Sequence, residues 1–306
     1  MPIVYAKAHN QGLFSFIRSM QLNPIERVDR IGRKEFRERY VKPQKPVVIR
    51  HLIDDWPAYD KWSLEYIKEI AGDKEVPLYD DRPVSHDEGF NQAHATMQMA
   101  DYIELLKREP TQYRIFLYNL MKEVPQLKSD FKFPSIGLRL LKQIPMLFFG
   151  GTNSKVFMHH DIDWANILHF HFEGRKQCIL FAPSQTKHLY KVPHSLITRE
   201  DIDFDHPDYE RFPALKEAQG HICHLNHGET LYMPEGYWHY MKYETPGFSM
   251  SLRALPRNPK HLRYALYNVF VMRHYDNFMR RRKGQAWIDE KNKRAILETH
   301  KALGIA

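Results

Sequence analysis

The chain has 306 residues, of which 43% are hydrophobic, and a formal net charge of +8. That balance excludes a disordered polymer and allows one large β-rich core with helical additions. No stretch of about 18 apolar residues occurs, the first twenty residues carry charges without a sustained apolar run, and Cys178 and Cys223 form no CxxC pair; the expectation is a soluble protein of the reducing cytoplasm with no membrane partner.

In chain order, residues 12 to 22 place Leu13, Phe16, Ile17 and Met20 on one stripe, which predicts a short amphipathic helix followed by an extended exit. Next come a helix over "GRKEFRERY", a buried strand at Val47 to Arg50, a helix capped by Ser63 and another over Met99 to Arg108. From about Tyr113 the period shortens into β-like runs, "RIFLYNL", "PMLFFGG", "KVFMHHDID", "ILHFHF", "QCILFAP", "HICHLNHGETLYMP", "YWHYMKYE" and "FSMSLRAL", with Gly and Pro at the turns. Short strands in that number predict a closed or double-sheet jelly-roll of the cupin kind. From His261 the helical period returns, with Leu262, Leu266, Val269 and Met272 on one face, and a last helix is expected over Ala286 to Leu303. The expected organisation is a lead-in over 1–110, a β core over 111–256 and a helical extension over 257–306.

The segment from Lys155 to Phe181 carries an unusual load of ionisable groups for a buried strand pair. In a strand, residues two apart share a face, so His159 and Asp161 point together while His160 points away. With one more imidazole from an antiparallel neighbour they form a two-histidine, one-carboxylate set able to hold divalent iron with coordination positions left open. His239 in "LYMPEGYWHYM" is the favoured third ligand; His224 and His227 sit beside a turn and read as surface groups. A lone HxD also arises by chance, and core histidines are commonly structural. Lys176 opens the "KQCILF" strand and, if inward, needs a carboxylate partner that a dicarboxylate ligand can provide. Arg253 alternates with Leu252 and offers a bidentate fork to a carboxylate, or else lies on the outer face.

The ordered motifs, HxD, then "FEGRKQCILFAP", then "DFDHPDYERFP", then "GETLYMPEGYWH", resemble the JmjC and cupin-like Fe(II)/2-oxoglutarate-dependent oxygenases, in particular the factor-inhibiting-HIF-like hydroxylases. The resemblance spans roughly residues 25 to 255. It implies a double-stranded β-helix, Fe(II) held by His159, Asp161 and His239, and Lys176 paired with the distal carboxylate of 2-oxoglutarate. The chemistry implied is hydroxylation of a C–H bond with release of succinate and CO2.

This sequence departs from the pattern in several places. About two extra residues separate Asp161 from Gly174, so Asp163 competes with Asp161 as the carboxylate ligand; strand spacing from His159 favours Asp161. Val156 and Phe116 stand where relatives carry hydroxyls, with Tyr118, two residues on, as the replacement and Arg253 as an added charge for the cosubstrate. His169 and His171 fall on the same face as the triad, as substrate-orienting groups or as hydrogen-bonded core residues, and Trp164 is expected near the entrance. Protein, RNA and small-molecule substrates stay open, and the basic run Arg280–Lys283 fits an acidic partner or a solvated helix end. The rival functions are a metal-binding cupin interaction module without turnover and a cupin metal enzyme that does not use 2-oxoglutarate. The Tyr-, Phe- and Met-rich terminal helices predict a homodimer surface.

Overall fold

The computed structural model describes residues 19–82 and 92–305. The lead-in contributes β1 (Gln21–Pro24), β2 (Arg27–Val28), α1 (Arg33–Phe36), β3 (Val47–Ile49), α2 (Pro57–Lys61), α3 (Leu64–Ala71), β4 (Glu75–Leu78), β5 (Ala95–Gln98) and α4 (Met99–Arg108). The core strands are β6 (Arg114–Tyr118), β7 (Met146–Gly150), β8 (Lys155–His159), β9 (Asn166–Glu173), β10 (Lys176–Phe181), β11 (Gln219–Leu225), β12 (Thr230–Met233), β13 (Trp238–Tyr243) and β14 (Gly247–Ala254). α5 (Pro259–Tyr267) runs through a π-helical turn into α6 (Arg273–Lys283), and α7 (Gln285–Leu303) follows Gly284.

The nine core strands, with β1, β2 and β3 of the lead-in, form two sheets, ordered β1-β11-β10-β13-β8 and β2-β3-β12-β9-β14-β7-β6. This is the expected jelly-roll. Period-two patterning explains how β9 can be buried almost throughout. Leu168, Phe170 and Phe172 pack outward into the large apolar cluster with Trp56 and Trp62 of the lead-in. Ile167, His169 and His171 therefore face the interior between the sheets. The opposite sheet divides in the same way: Cys178 and Leu180 fill the barrel beside Cys223 and Leu231, while Ile179 and Phe181 pack beneath Tyr190 and Phe212. One half of the barrel is thus plugged by hydrocarbon, and polar side chains collect in the other.

The Ser63 cap holds, its Oγ accepting from Tyr66 N at 3.1 Å, and the helix over Met99–Arg108 buries Met99, Tyr102, Ile103 and Leu106. The stripe expected in a helix over residues 12 to 22 lies outside the described residues apart from Met20, and Gln21 and Leu22 are extended in β1, paired in parallel with β11. The terminal helices also differ from expectation. Their inward face is Ala265, Asn268, Met272 and Asp276, whereas Leu262 and Leu266 are exposed. The reason is a polar anchor: Asp276 accepts from Arg280 Nε at 2.9 Å, Trp287 Nε1 at 2.8 Å and Lys291 Nζ at 2.6 Å, tying α6 to α7. Glu235, buried just before β13, accepts from Asn166 Nδ2 at 3.0 Å, Arg257 N at 2.7 Å and His261 Nδ1 at 2.8 Å, which fixes the start of α5 to the barrel.

Removing one member of a buried ion pair leaves the other charge uncompensated. Asp276→Ala is therefore expected to lower unfolding stability by about 3 kcal/mol, read as an earlier urea midpoint and loss of the protection of α6 and α7 in hydrogen exchange.

Candidate metal centre

Register brings the triad together. β13 pairs with β8 so that His239 stands opposite His159, with a bulge between His239 and Met241, and the imidazole centroids lie 4.0 Å apart. Gly236 makes the approach turn possible: its φ is +69°, and a Cβ there would lie 2.1 Å from the Trp164 ring. His159, Asp161 and His239 each offer one ligand atom, all within 4.8 Å of one another.

The imidazoles are prepared for a cation. His159 Nδ1 lies 2.8 Å from the Phe157 carbonyl and His239 Nδ1 lies 3.1 Å from the Tyr237 carbonyl, so each Nδ1–H donates to backbone and each Nε2 keeps its lone pair free. Burial holds His159 below the usual imidazole range and pushes His239 down to about 3, so both are neutral, the ligating form. Burial opposes ionisation of Asp161, but the Arg253 guanidinium beside it prevails and holds its carboxyl at about 2.

Arg253 does point inward, but its fork is committed to the protein's own acids: Nη2 donates to Asp161 Oδ2 at 3.2 Å and Nη1 to Asp163 Oδ2 at 3.0 Å. The expected cosubstrate contact is corrected accordingly, because a fork spanning Asp161 and Asp163 faces the loop after β8. One Asp161 oxygen stays available beside the imidazoles, while Asp163 is held by Arg253 and by Ala165 N at 3.3 Å. Both carboxylates lie on the short loop between β8 and β9.

A cavity of about 310 Å³ extends from the triad, lined among others by Arg114, Phe116, Val156, His169 and Lys176. Lys176 is 2% exposed, and its Nζ contacts His169 Nε2 at 3.1 Å and the Tyr243 hydroxyl at 3.2 Å. It makes no ion pair with a described carboxylate, and burial pushes the ammonium down to about 8. His169 donates from Nδ1 to Ser251 Oγ at 2.7 Å and accepts from Lys176, so it orients that ammonium. His171 bonds Ser249 Oγ at 2.9 Å and the Gly174 carbonyl at 2.9 Å, a structural core histidine. His227 is exposed and His224 is half-buried against Glu244.

Tyr118 is not brought to the site. Leu117 has φ 53° and the β6–β7 register shifts between Ile115 and Tyr118, so the two-residue rule fails and the Tyr118 hydroxyl donates outward to Glu123 at 2.9 Å. The polar group on that strand's inner face is instead Arg114, two before Phe116. It is 7% exposed, its Nε and Nη1 have no hydrogen-bond partner, and burial lowers it to about 10. The alternation R-x-F was the available signal.

The match to a family model named cupin-like domain covers residues 33–281, most of the chain. The chain belongs to the cupin-like, JmjC-related family. It is 29% identical over 222 residues to lysine-specific demethylase 8 of Xenopus tropicalis, covering 71% of this chain and 50% of that protein. The Danio rerio protein of that name is 29% identical over 240 residues, covering 75% and 59%. Human tRNA wybutosine-synthesizing protein 5 is 24% identical over 252 residues, covering 75% and 77%. This cupin-like chain spans between half and three-fifths of the length of the first two relatives.

The two acids are separable by substitution. Asp161→Asn is expected to cost more than about 100-fold in Fe(II) affinity by calorimetry, while Asp163→Asn, which weakens the Arg253 fork and leaves an amide oxygen for Ala165 N, costs no more than about 10- to 100-fold.

Proposed function

We propose that this chain is an Fe(II)- and 2-oxoglutarate-dependent hydroxylase. The observation that carries the reading is the buried Lys176 ammonium, without a carboxylate partner, in the same cavity as a neutral two-histidine, one-carboxylate triad. A buried cation of this kind needs an anion, and a dicarboxylate with one end at the triad supplies it. His159, Asp161 and His239 would hold the metal, which when bound supplies oxidation of a C–H bond coupled to conversion of 2-oxoglutarate and dioxygen to succinate and CO2.

The chain's own part is binding and exclusion. Lys176, oriented by His169 and Tyr243, receives the distal carboxylate, and Arg114 adds a second cation on the same wall in place of the hydroxyls absent at Phe116 and Val156. Phe116, Phe148 and Val156 keep water from the bound chain of the ligand. The relatives' names point to protein and RNA substrates, and the same two classes are proposed here. Leu266, Phe270, Val271 and Phe278 form an exposed apolar face that runs from the end of α5 through the π-helical turn into α6, which supports the proposed homodimer. Among the described residues no helix is long and apolar enough to cross a membrane. Phe116 and Val156 also favour a second reading, a metal-binding module without turnover; succinate formation in the presence of Fe(II) and 2-oxoglutarate rejects it.

Anaerobic Fe(II) loading with 2-oxoglutarate is expected to give a metal-to-ligand charge-transfer band that His159→Ala abolishes; iron binding without the band refutes the cosubstrate assignment. Lys176→Met and Arg114→Met are each expected to weaken 2-oxoglutarate binding by about 2–3 kcal/mol, roughly 30- to 150-fold, in titrations of that band. The affinity also falls as pH rises past about 8. Below that value Lys176 is already charged, and above it binding must take up a proton.

A further inference from the structure

Beside the metal cavity lies a second, open cleft of about 980 Å³, and the two share His160 and Ser195 in their walls. Its cations are Lys191, Lys260 and Arg263, and no Asp or Glu lines it. None of the three makes an ion pair with a described carboxylate; Lys191 Nζ donates only to the Val192 carbonyl, at 3.2 Å. A small neighbouring cavity, which shares His194, Ser195 and Met272 with the cleft, is lined by Arg273 and by Asp276, whose carboxylate is held by Arg280, Trp287 and Lys291. On the same face of α5 as Lys260 and Arg263 stand Tyr264 and Tyr267, 40% and 48% exposed; the Lys260 ammonium lies 5.9 Å from the Tyr264 ring centroid, and Trp164 lies 4.9 Å from Tyr264 with its Nε1 buried and unbonded.

Cations without counter-ions in a concave, carboxylate-free wall concentrate an anion. Phosphate alone needs no exposed aromatic faces, and an apolar ligand needs no unpaired ammonium groups. A nucleotide uses both, its phosphate on the cations and its base on a tyrosine face. We propose that this cleft binds a nucleotide unit of the substrate, with phosphate on Lys191, Lys260 and Arg263 and the base against Tyr264 and Tyr267. The cleft holds the unit next to the carbon presented to the metal. Its role as a substrate anchor rests on the hydroxylase reading; its binding of a nucleotide does not. A free nucleotide and a residue within RNA share this chemistry.

The test uses the full chain without metal or 2-oxoglutarate, so that it stands apart from the oxygenase assay. Adenosine monophosphate, a labelled ten-nucleotide single-stranded RNA and a phosphoserine peptide are titrated by calorimetry and fluorescence anisotropy. Binding of the nucleotide or the RNA is expected, with a loss of about tenfold or more in Lys260→Glu/Arg263→Glu and in Tyr264→Ala/Tyr267→Ala. Only the charge-reversal variant is expected to flatten the salt dependence. Much tighter binding of the RNA assigns an RNA substrate, and equal binding assigns a free nucleotide; both support the cleft. Tyr264, Tyr267, Lys260 and Arg263 are exposed, so unchanged circular dichroism and an unchanged 2-oxoglutarate charge-transfer titration are expected for both variants. Failure of nucleotide and RNA to bind overturns the proposal, as does phosphopeptide binding of equal strength that survives loss of the tyrosines.

Discussion

The pairing of β13 with β8 is the constraint on which the site depends. It sets His239 opposite His159, with the His239 side chain buried and His159 half-buried. A buried imidazole must spend its N–H on something, and here each Nδ1 is spent on the carbonyl two residues earlier in its own chain. The lone pairs are thereby turned inward by local backbone geometry. A carboxylate that joins them must also be satisfied, and Arg253 reaches from β14 to do so. Strand pairing, tautomer and ion pair therefore form one linked arrangement, and a change of one residue in register would undo all of it.

The barrel's interior is divided by the same logic. Hydrocarbon from Cys178, Leu180, Cys223 and Leu231 closes one half, together with Val48, Ile167 and Met241 from the neighbouring strands. In the other half His169, Lys176, Tyr243 and Ser251 form a bonded chain that still lacks a negative charge. A polar network in a low-dielectric interior is stable when fully satisfied, and this one is complete only up to its carboxylate. The unmet requirement marks a ligand position more sharply than the cavity's shape does.

Much of this was legible from residue order because the relevant rules are local. Period two placed His159 with Asp161, the turn before "YWHYM" returned His239, and the start of β10 turned Lys176 inward. The failures arise where a local rule is broken by a distant one. The bulge at Leu117 rotates Tyr118 away from the face that Phe116 occupies, and alternation cannot register a bulge before the partner strand is known. Arg253 takes the inner of the two faces that the sequence left open, and its partners sit on the loop after β8, whose path alternation does not give. The Leu262 and Leu266 stripe misled because the helix is anchored by Asp276 and Asn268, and polar anchors leave no hydrophobic period. Arg114 reads as an ordinary edge charge until β6 is known to border the cavity.

Charge balance links the two clefts. The cavity is lined by seven Lys and Arg side chains, Arg114, Lys176 and Arg253 among them, against Asp80, Asp161 and Glu200, so a divalent cation at the triad enters a region already rich in positive charge. The dianion of 2-oxoglutarate relieves that excess at both of its ends. Metal and dianion therefore stabilise each other's binding, and the coupling must be reciprocal. The neighbouring cleft has the same sign and no acid of its own, so its field adds to that of the cavity at the shared wall of His160 and Ser195. An anionic substrate seated there is attracted most strongly when the metal is in place and the cosubstrate has not fully neutralised it. A neutral substrate gains nothing from this arrangement, whereas the proposed nucleotide carries its own anionic phosphate into the cleft's field.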